Sequence, residues 1–176
     1  MIKNIILAGG CFWCTEAIFT KTKGIENVLP GYIGGKTLNP TYKDICTGVT
    51  GHAEAISVDY NSELISLKNI LEIFFSTHDP TTLNRQGNDL GTQYRSSVFV
   101  SDKEEIKIVS NFIDNLESSN QFEKKIVTMI EKKSTFYIAE EYHHDYFEKN
   151  KNAPYCSIVV SPKVDKFIKN KSEFLK

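Results

Sequence analysis

Apolar residues fall along the chain in short blocks whose spacing predicts a mixture of strands and helices. Ile5-Ile6-Leu7-Ala8 closes a first strand over Lys3–Ala8, and the pair Gly9-Gly10 marks a sharp turn after it. A helix over Trp13–Thr20 follows, then a second strand over Gly24–Tyr32 that runs into the Gly31–Gly35 turn. Thr37–Thr50 is rich in Thr, Asn, Pro and Gly and reads as a loop, with a short helix at Tyr42–Cys46. His52–Tyr60 alternates apolar and polar positions, the signature of a third strand. Ile70, Leu71, Ile73, Phe74 and Phe75 recur at helical spacing and predict an amphipathic helix over Asn69–Thr77. The segment His78–Ser96 has no period and holds Pro80, Gly87, Asn88, Asp89 and Gly91; a loop that long in a compact protein usually serves function. Ser97–Ser101 reads as a strand, and Asp102 caps a helix to Leu116 with Glu105 completing a capping box. Lys125–Met129, Phe136–Ile138 and Tyr155–Val160 read as further strands. Glu140–Lys149 reads as a short polar-aromatic helix with His143-His144 at its centre, and a lysine-rich tail follows. Strands and helices that do not alternate regularly predict an α+β fold, a two-layer sandwich of helices packed on a mixed sheet.

Length and charge narrow the class. A chain of 176 residues suits one domain with a core that needs no disulfide staples. The net charge of −1 supplies neither a basic surface for nucleic acid nor a polybasic patch for anionic membrane. No stretch approaches the roughly 20 apolar residues of a membrane span, and the apolar run before Gly9 is too short for a signal peptide. A cytoplasmic location is therefore expected, where thiols stay reduced. The four cysteines then read as catalytic, redox-active or buried, and not as a disulfide framework.

Candidate chemistry gathers in Gly9–Ala17. Cys11 falls at or just before the first helical turn, near unpaired N–H groups and the positive end of the helix dipole, which predicts a thiolate. Phe12 and Trp13, the chain's one tryptophan, would place exposed rings beside it and suit a small apolar group with a polar centre. The alternative is two core aromatics beside an inert thiol; the double glycine and a second cysteine weigh against it. Cys11 and Cys14 form a Cys-x-x-Cys pair with both sulfurs on one side of a helix, within reach of a disulfide. Zinc would want two further ligands at similar spacing, and Cys46 and Cys156 are isolated, so metal is the weaker reading. Glu54 lies where a strand of small apolar residues faces inward, so a raised pKa and a protonated, proton-donating carboxyl are expected; the alternative is an exposed edge glutamate. Tyr42 and Tyr94 sit at loop ends, where a phenol serves as an aimed hydrogen-bond donor or as half-buried packing. His78, His143 and His144 show no helical metal spacing.

These residues together resemble the A-type peptide-methionine sulfoxide reductases, which reduce the S-epimer of methionine sulfoxide. Gly10-Cys-Phe-Trp13 is similar to their active-site motif and Gly51-His-Ala-Glu54 to their acid motif. Gly91-Thr-Gln-Tyr-Arg-Ser96, Tyr142-His143, Pro154-Tyr-Cys156 and Pro162-Lys-Val164 also correspond, so the likeness runs from Ile6 to about Phe167. The resemblance implies a ferredoxin-like sandwich, a single catalytic domain over 1–176 and a tail from about 165. It implies Cys11 as nucleophile, Glu54 as proton donor, and Tyr42 and Tyr94 as donors to the sulfoxide oxygen. Phe12 and Trp13 would hold the ε-methyl group, with Asp89 and His143 supporting substrate and tyrosines. It further implies a monomer that acts on methionine sulfoxide in peptides or proteins, thioredoxin as reductant, and no metal, flavin or nucleotide.

Three departures stand out. His144 replaces a frequent glutamine, the tail Ser161–Lys176 has no resolving cysteine, and Cys14 stands where other members carry glycine. The thiol that resolves a Cys11 sulfenic acid is then Cys14, Cys46 or Cys156. Cys14 is favoured by short loop closure and a shared helical face; Cys46 would have to swing in, and a cysteine in a buried strand, as read for Cys156, is usually inert packing. Two rival readings are a thioredoxin-like disulfide oxidoreductase, distinguished by sulfoxide turnover, and a non-catalytic reader of methionine sulfoxide or metal, distinguished by disulfide formation or bound zinc.

Overall fold

The computed structural model describes residues 1–176. In chain order its elements are β1 (Ile2–Ala8), α1 (Phe12–Phe19), β2 (Ile25–Ile33), α2 (Tyr42–Cys46), β3 (Ala53–Asn61), α3 (Leu67–Thr77), β4 (Arg85–Gln86), β5 (Asp89–Leu90), β6 (Ser97–Val100), α4 (Lys103–Ser118), β7 (Met129–Lys132), β8 (Tyr137–Ile138), α5 (Tyr146–Lys149) and α6 (Ser161–Asn170). One mixed sheet runs β7-β6-β1-β3-β2-β8, with a separate hairpin of β4 and β5. The β1, β3, β2 and β6 pairings are antiparallel, and β7 adds to β6 in parallel. The fold is α+β, with helices packed on a mixed sheet.

The apolar run in β1 is continuous because the strand is covered on both faces. Successive side chains alternate: Ile5 and Leu7 join the large core under α1, α3 and α6, while Ile6 and Ala8 join a smaller cluster with Ile33, Ala53, Ala55 and Phe99 on the reverse face. The same alternation along β3 turns Ala53 and Ala55 to the reverse face. Glu54, opposite Tyr32 in the register, therefore points to the helix side.

Several sequence expectations are corrected. The strand expected over Lys125–Met129 starts where that one would end, at Met129. Its parallel register with β6 begins at Ser97↔Met129, and Val127 N–H instead bonds Pro80 O at 2.8 Å. The capping box at α4 is incomplete: Asp102 accepts Glu105 N–H at 2.9 Å, but the Glu105 carboxylate takes Ser101 N–H at 2.6 Å. Glu140–Lys149 is not one helix; a 3₁₀ turn, Glu141–His143, is separated from α5 by Asp145 in the left-handed region (φ 52°). Tyr155–Val160 is not a strand but leads into a π-helical turn, Cys156–Val160, that runs directly into α6. The lysine-rich C-terminal segment forms α6. Val160, Val164 and Phe167 recur at helical spacing and are buried in the main core; that burial outweighs the strand preference of Ile158, Val159 and Val160. Pro162 falls at the junction of the π-helical turn and α6, where the regular hydrogen-bond ladder is already interrupted.

Candidate active site

Between β1 and α1 the chain needs two glycines for two different reasons. Gly10 has φ 86°, and a Cβ there would come within 2.6 Å of the Gln86 side chain; a Cβ on Gly9 would come within 2.8 Å of Phe74. Behind Gly9 lies His78, its Nδ1 2.6 Å from Phe74 O and its Nε2 2.8 Å from Ser96 Oγ, which in turn meets Thr128 Oγ1 at 2.7 Å. Burial lowers its pKa to about 4, so this histidine is a neutral brace for the turn.

The turn delivers Cys11 as the N-cap of α1, with extended backbone (φ −61°, ψ 126°). The Trp13 backbone N–H and the Tyr155 hydroxyl face its sulfur and favour the thiolate, as the helix start predicts. Burial, reinforced by Glu54 and then Cys14, nevertheless raises the pKa well above its ordinary value, so the resting group is a thiol. The thiolate expectation is corrected on magnitude: a helix terminus contributes about 0.3–1 kcal/mol, whereas burying an uncompensated charge costs several.

Glu54 is buried at the start of β3, and its Oε1 accepts Phe12 N–H at 3.3 Å. Burial lifts its carboxyl to about 8, with Asp89 adding to the shift, so it is protonated at neutral pH. Tyr42 and Tyr94 are half-buried; desolvation and then Glu54 raise both phenols, and Cys11 adds to each. Tyr42 is held by its backbone, whose N–H donates to Glu140 Oε2 at 2.9 Å, and by its ring, edge-on to His143 at 4.4 Å. Glu140 also accepts from Tyr32 Oη at 2.9 Å and Tyr142 Oη at 3.2 Å, fastening α2 to the sheet.

Tyr94 is held through its neighbour. Arg95 is buried, with Nη1 donating at 3.0 Å to both Gly51 O and Thr92 O, and its guanidinium paired with Glu131 at 3.1 and 3.3 Å. It ties the turn before Glu54, the turn carrying Tyr94 and strand β7 into one unit. Arg95→Ala takes the cation from Glu131, which keeps Ser97 Oγ, and the donor from Gly51 O, while Thr92 O keeps the Arg95 backbone N–H; it is expected to cost about 1–3 kcal/mol, measured by denaturant unfolding with the m-value unchanged.

On the side where substrate would lie, the two aromatics differ. Phe12 is not exposed: it is 1% accessible, with its ring centroid 5.0 Å from that of His143 and 5.8 Å from that of Tyr32. Trp13 is partly buried, stacked on Tyr146 at 3.8 Å and 8° and edge-on to Tyr155 at 5.6 Å. Its Nε1–H donates to His143 Nδ1 at 3.0 Å. His143 is fully buried and neutral, its pKa lowered to about 4 by burial; Nδ1 is the acceptor, so the ring proton is on Nε2, which has no hydrogen-bond partner in the protein. Asp89, on β5, accepts from Tyr155 Oη at 2.7 Å.

All four cysteines are free, and three of them, Cys11, Cys14 and Cys156, are buried while Cys46 is exposed at the end of α2. Cys14 is the middle member: its charge acts on Cys11, Cys156 acts on it, and the Tyr155 hydroxyl faces both helix cysteines. Burial raises Cys14 to about 11, with Lys163 opposing the shift. The residues missed from sequence are Tyr155, Tyr146 and Glu140. Tyr155 lies inside the Pro154-Tyr-Cys156 motif, and Glu140 shortly precedes Tyr142-His143; proximity to known motifs was the one available signal.

This geometry has counterparts. Residues 3–175 match the family model described as peptide methionine sulfoxide reductase. A peptide methionine sulfoxide reductase MsrA of Saccharolobus solfataricus is 53% identical over 93% of this chain and 91% of its own. The crystal structure of Mxr1 from Saccharomyces cerevisiae in reduced form superposes with a TM-score of 0.81 and 37% identity, covering 88% of this chain and 89% of its own. The same protein in complex with Trx2 is similar at a TM-score of 0.57 and 28% identity, covering 82% and 84%.

Proposed function

The chain belongs to the peptide methionine sulfoxide reductase family, and from that premise we propose that it reduces the S-epimer of methionine sulfoxide, free or in proteins, through Cys11, Glu54, Tyr42 and Tyr94. It is an oxidoreductase, and no helix in it is long and apolar enough to cross a membrane. The observation that carries the mechanism is a buried thiol and a buried protonated carboxyl on either side of the Phe12 N–H, with two phenols close to both.

A sulfoxide carries positive charge on sulfur and negative charge on oxygen. As Cys11 sulfur attacks, negative charge grows on that oxygen, and Glu54 donates its proton there while Tyr42 and Tyr94 hydrogen-bond it. The carboxylate so formed accepts the Cys11 thiol proton, and the cationic substrate sulfur offsets the burial that keeps Cys11 protonated at rest. The oxygen passes to cysteine sulfur: sulfoxide and thiol become thioether and sulfenic acid, with two electrons transferred, the Glu54 proton now on oxygen and the thiol proton on Glu54. Trp13 borders the substrate methyl, with Phe12 behind it and His143 and Asp89 holding Trp13 and Tyr155. Cys14 thiol then condenses with the sulfenic acid, releasing water, and a thioredoxin dithiol reduces the disulfide. The likeness to Mxr1 with Trx2 supports thioredoxin as reductant. Four free cysteines suit action in the reducing cytoplasm.

Cys14→Ser tests the resolving step. The variant is expected to yield one equivalent of methionine in a single turnover, then stall as the sulfenic acid with thioredoxin present. Wild type treated with substrate but no reductant should lose two hydrogens by intact mass. Peptide mapping that finds Cys11 joined to Cys156 or Cys46, with Cys14 free, overturns the assignment of Cys14. No mass change and no methionine overturns the function.

A further inference from the structure

Helices α3, α4 and α6, with residues 121–124, border a cleft of about 1010 Å³ that none of the groups assigned to the chemistry lines. That volume is at the upper end of the range for small-molecule sites. Its apolar lining is aromatic apart from Leu116. Phe75 and Phe167 are buried at its base, Phe112 stacks on Phe75 at 5.6 Å and 28°, and Phe122 is half-buried. Lys163, Lys166, Phe167 and Asn170 all line the cleft, so one face of α6 supplies two ammonium groups beside an aromatic ring.

The lining holds four lysines against three carboxylates. Lys171 pairs with Glu72 at 2.6 Å, and the Asp79 carboxylate accepts Thr81 N–H at 2.9 Å and Thr81 Oγ1 at 2.6 Å. Lys124, Lys163 and Lys166 enter no ion pair, and Glu123 is the one lining carboxylate without a partner. Two lining residues also pack on the active-site turn. A Cβ on Gly9 would come within 3.1 Å of the His78 ring, and one on Gly10 within 2.6 Å of Gln86. The Gln86 amide is fixed there, accepting Asp79 N–H and donating to Asp79 O, each at 3.0 Å.

We propose that this cleft is a second binding site, for an organic anion with a flat aromatic body: the phenylalanines receive the body, and Lys163 and Lys166 the acidic head. The body gains by leaving water and by offset or edge-on contact with the rings. The head gains because an apolar base lowers the local dielectric and strengthens its attraction to the unpaired ammonium groups. A neutral aromatic would leave those lysines without a partner, an inorganic anion would leave the rings wet, and an organic cation would meet like charge. The site is separate from the sulfoxide chemistry and does not depend on it.

The probe is 1-anilinonaphthalene-8-sulfonate, an aromatic sulfonate whose fluorescence rises out of water. Wild type is expected to bind one molecule per chain, with a Kd on the order of tens of micromolar for a ligand of this size, weakening as salt is added. The double variant Lys163→Gln, Lys166→Gln is expected to bind it roughly tenfold more weakly, the size of two partly exposed charge pairs. N-phenyl-1-naphthylamine has the same rings without the sulfonate, and its binding should respond neither to salt nor to the double variant. Phe122→Ala should weaken both probes. Amide shifts of labelled protein on adding the sulfonate should centre on 75–79 and 163–170, and reach Gly9 and Gly10 through His78 and Gln86. Cooperative thermal unfolding verifies that each variant is folded, since loosely packed states also bind this dye; if Phe122→Ala is not, the lysine variant decides. No saturable binding, an affinity unchanged in the double variant, an equal loss for both probes in it, or shifts centred on Trp13 and Tyr94 overturns the inference. Absence of sulfoxide turnover overturns the proposed function instead, and leaves this test standing.

Discussion

Replacing Cys11 with serine is expected to abolish methionine sulfoxide reduction while leaving the protein folded. The position favours the substitution structurally. Cys11 is the N-cap of α1 and makes no side-chain cap, whereas serine is among the preferred N-cap residues and its hydroxyl reaches the N–H groups that the sulfur serves poorly. The chemistry has no such tolerance. A hydroxyl is far less nucleophilic and less polarisable than sulfur, and an oxygen in its place cannot form the sulfenic acid from which a disulfide grows. Single-turnover methionine yield should fall from one equivalent to none, with thermal unfolding unchanged or slightly raised. A folded variant that still produces methionine would remove Cys11 from the mechanism.

Glu54→Gln is expected to lower the single-turnover rate by about 10²–10⁴, the range for a lost general acid. Glutamine matches the neutral acid in shape and keeps an acceptor for Phe12 N–H, so the loss should fall on the rate and not on the fold. The pH profile makes the test sharper. The acid form is the active one, and Glu54 ionises at about 8. Wild-type kcat/KM should hold below that pH and fall as pH rises through it; this limb should vanish in Glu54→Gln. The same sign governs stability. A buried carboxyl with a raised pKa favours the fold as its acid, so wild type should lose stability as pH climbs from the ordinary carboxyl range to about 8, and the glutamine variant should lose less. A falling limb that persists unchanged in Glu54→Gln would assign it to another group.

The elements that were legible in the sequence are those whose signal is local. The Gly9-Gly10 turn, α1 after it, the short helix at Tyr42–Cys46 and the amphipathic α3 all follow from spacing and turn chemistry within a few residues. The inward direction of Glu54 follows from the period of two in β3. Illegible stretches had two compatible patterns. Cys156–Val160 carries strand-forming side chains, and the helical recurrence through Val164 and Phe167 wins because it buries them in the main core. The Glu140–Lys149 segment has helix-forming composition, and its break at Asp145, in the left-handed region, has no local signal.

From its sequence alone, this protein has a cysteine after two glycines at the head of a helix, a carboxyl aimed inward from a strand of small residues, and an aromatic pair beside the sulfur. These are consequences of backbone period and steric freedom, which act over a few residues. Tertiary structure decided what each group is. It made Cys11 a thiol and Glu54 an acid, because both lie out of water, where charge is costly. It buried Phe12 against Tyr32 and His143 and left Trp13 partly exposed, stacked on Tyr146. It also brought Trp13 to His143, Asp89 to Tyr155 and Cys14 to Cys156. Those contacts join residues far apart along the chain, and a distance of that kind is set by how helices pack on a sheet, not by the order of residues within either.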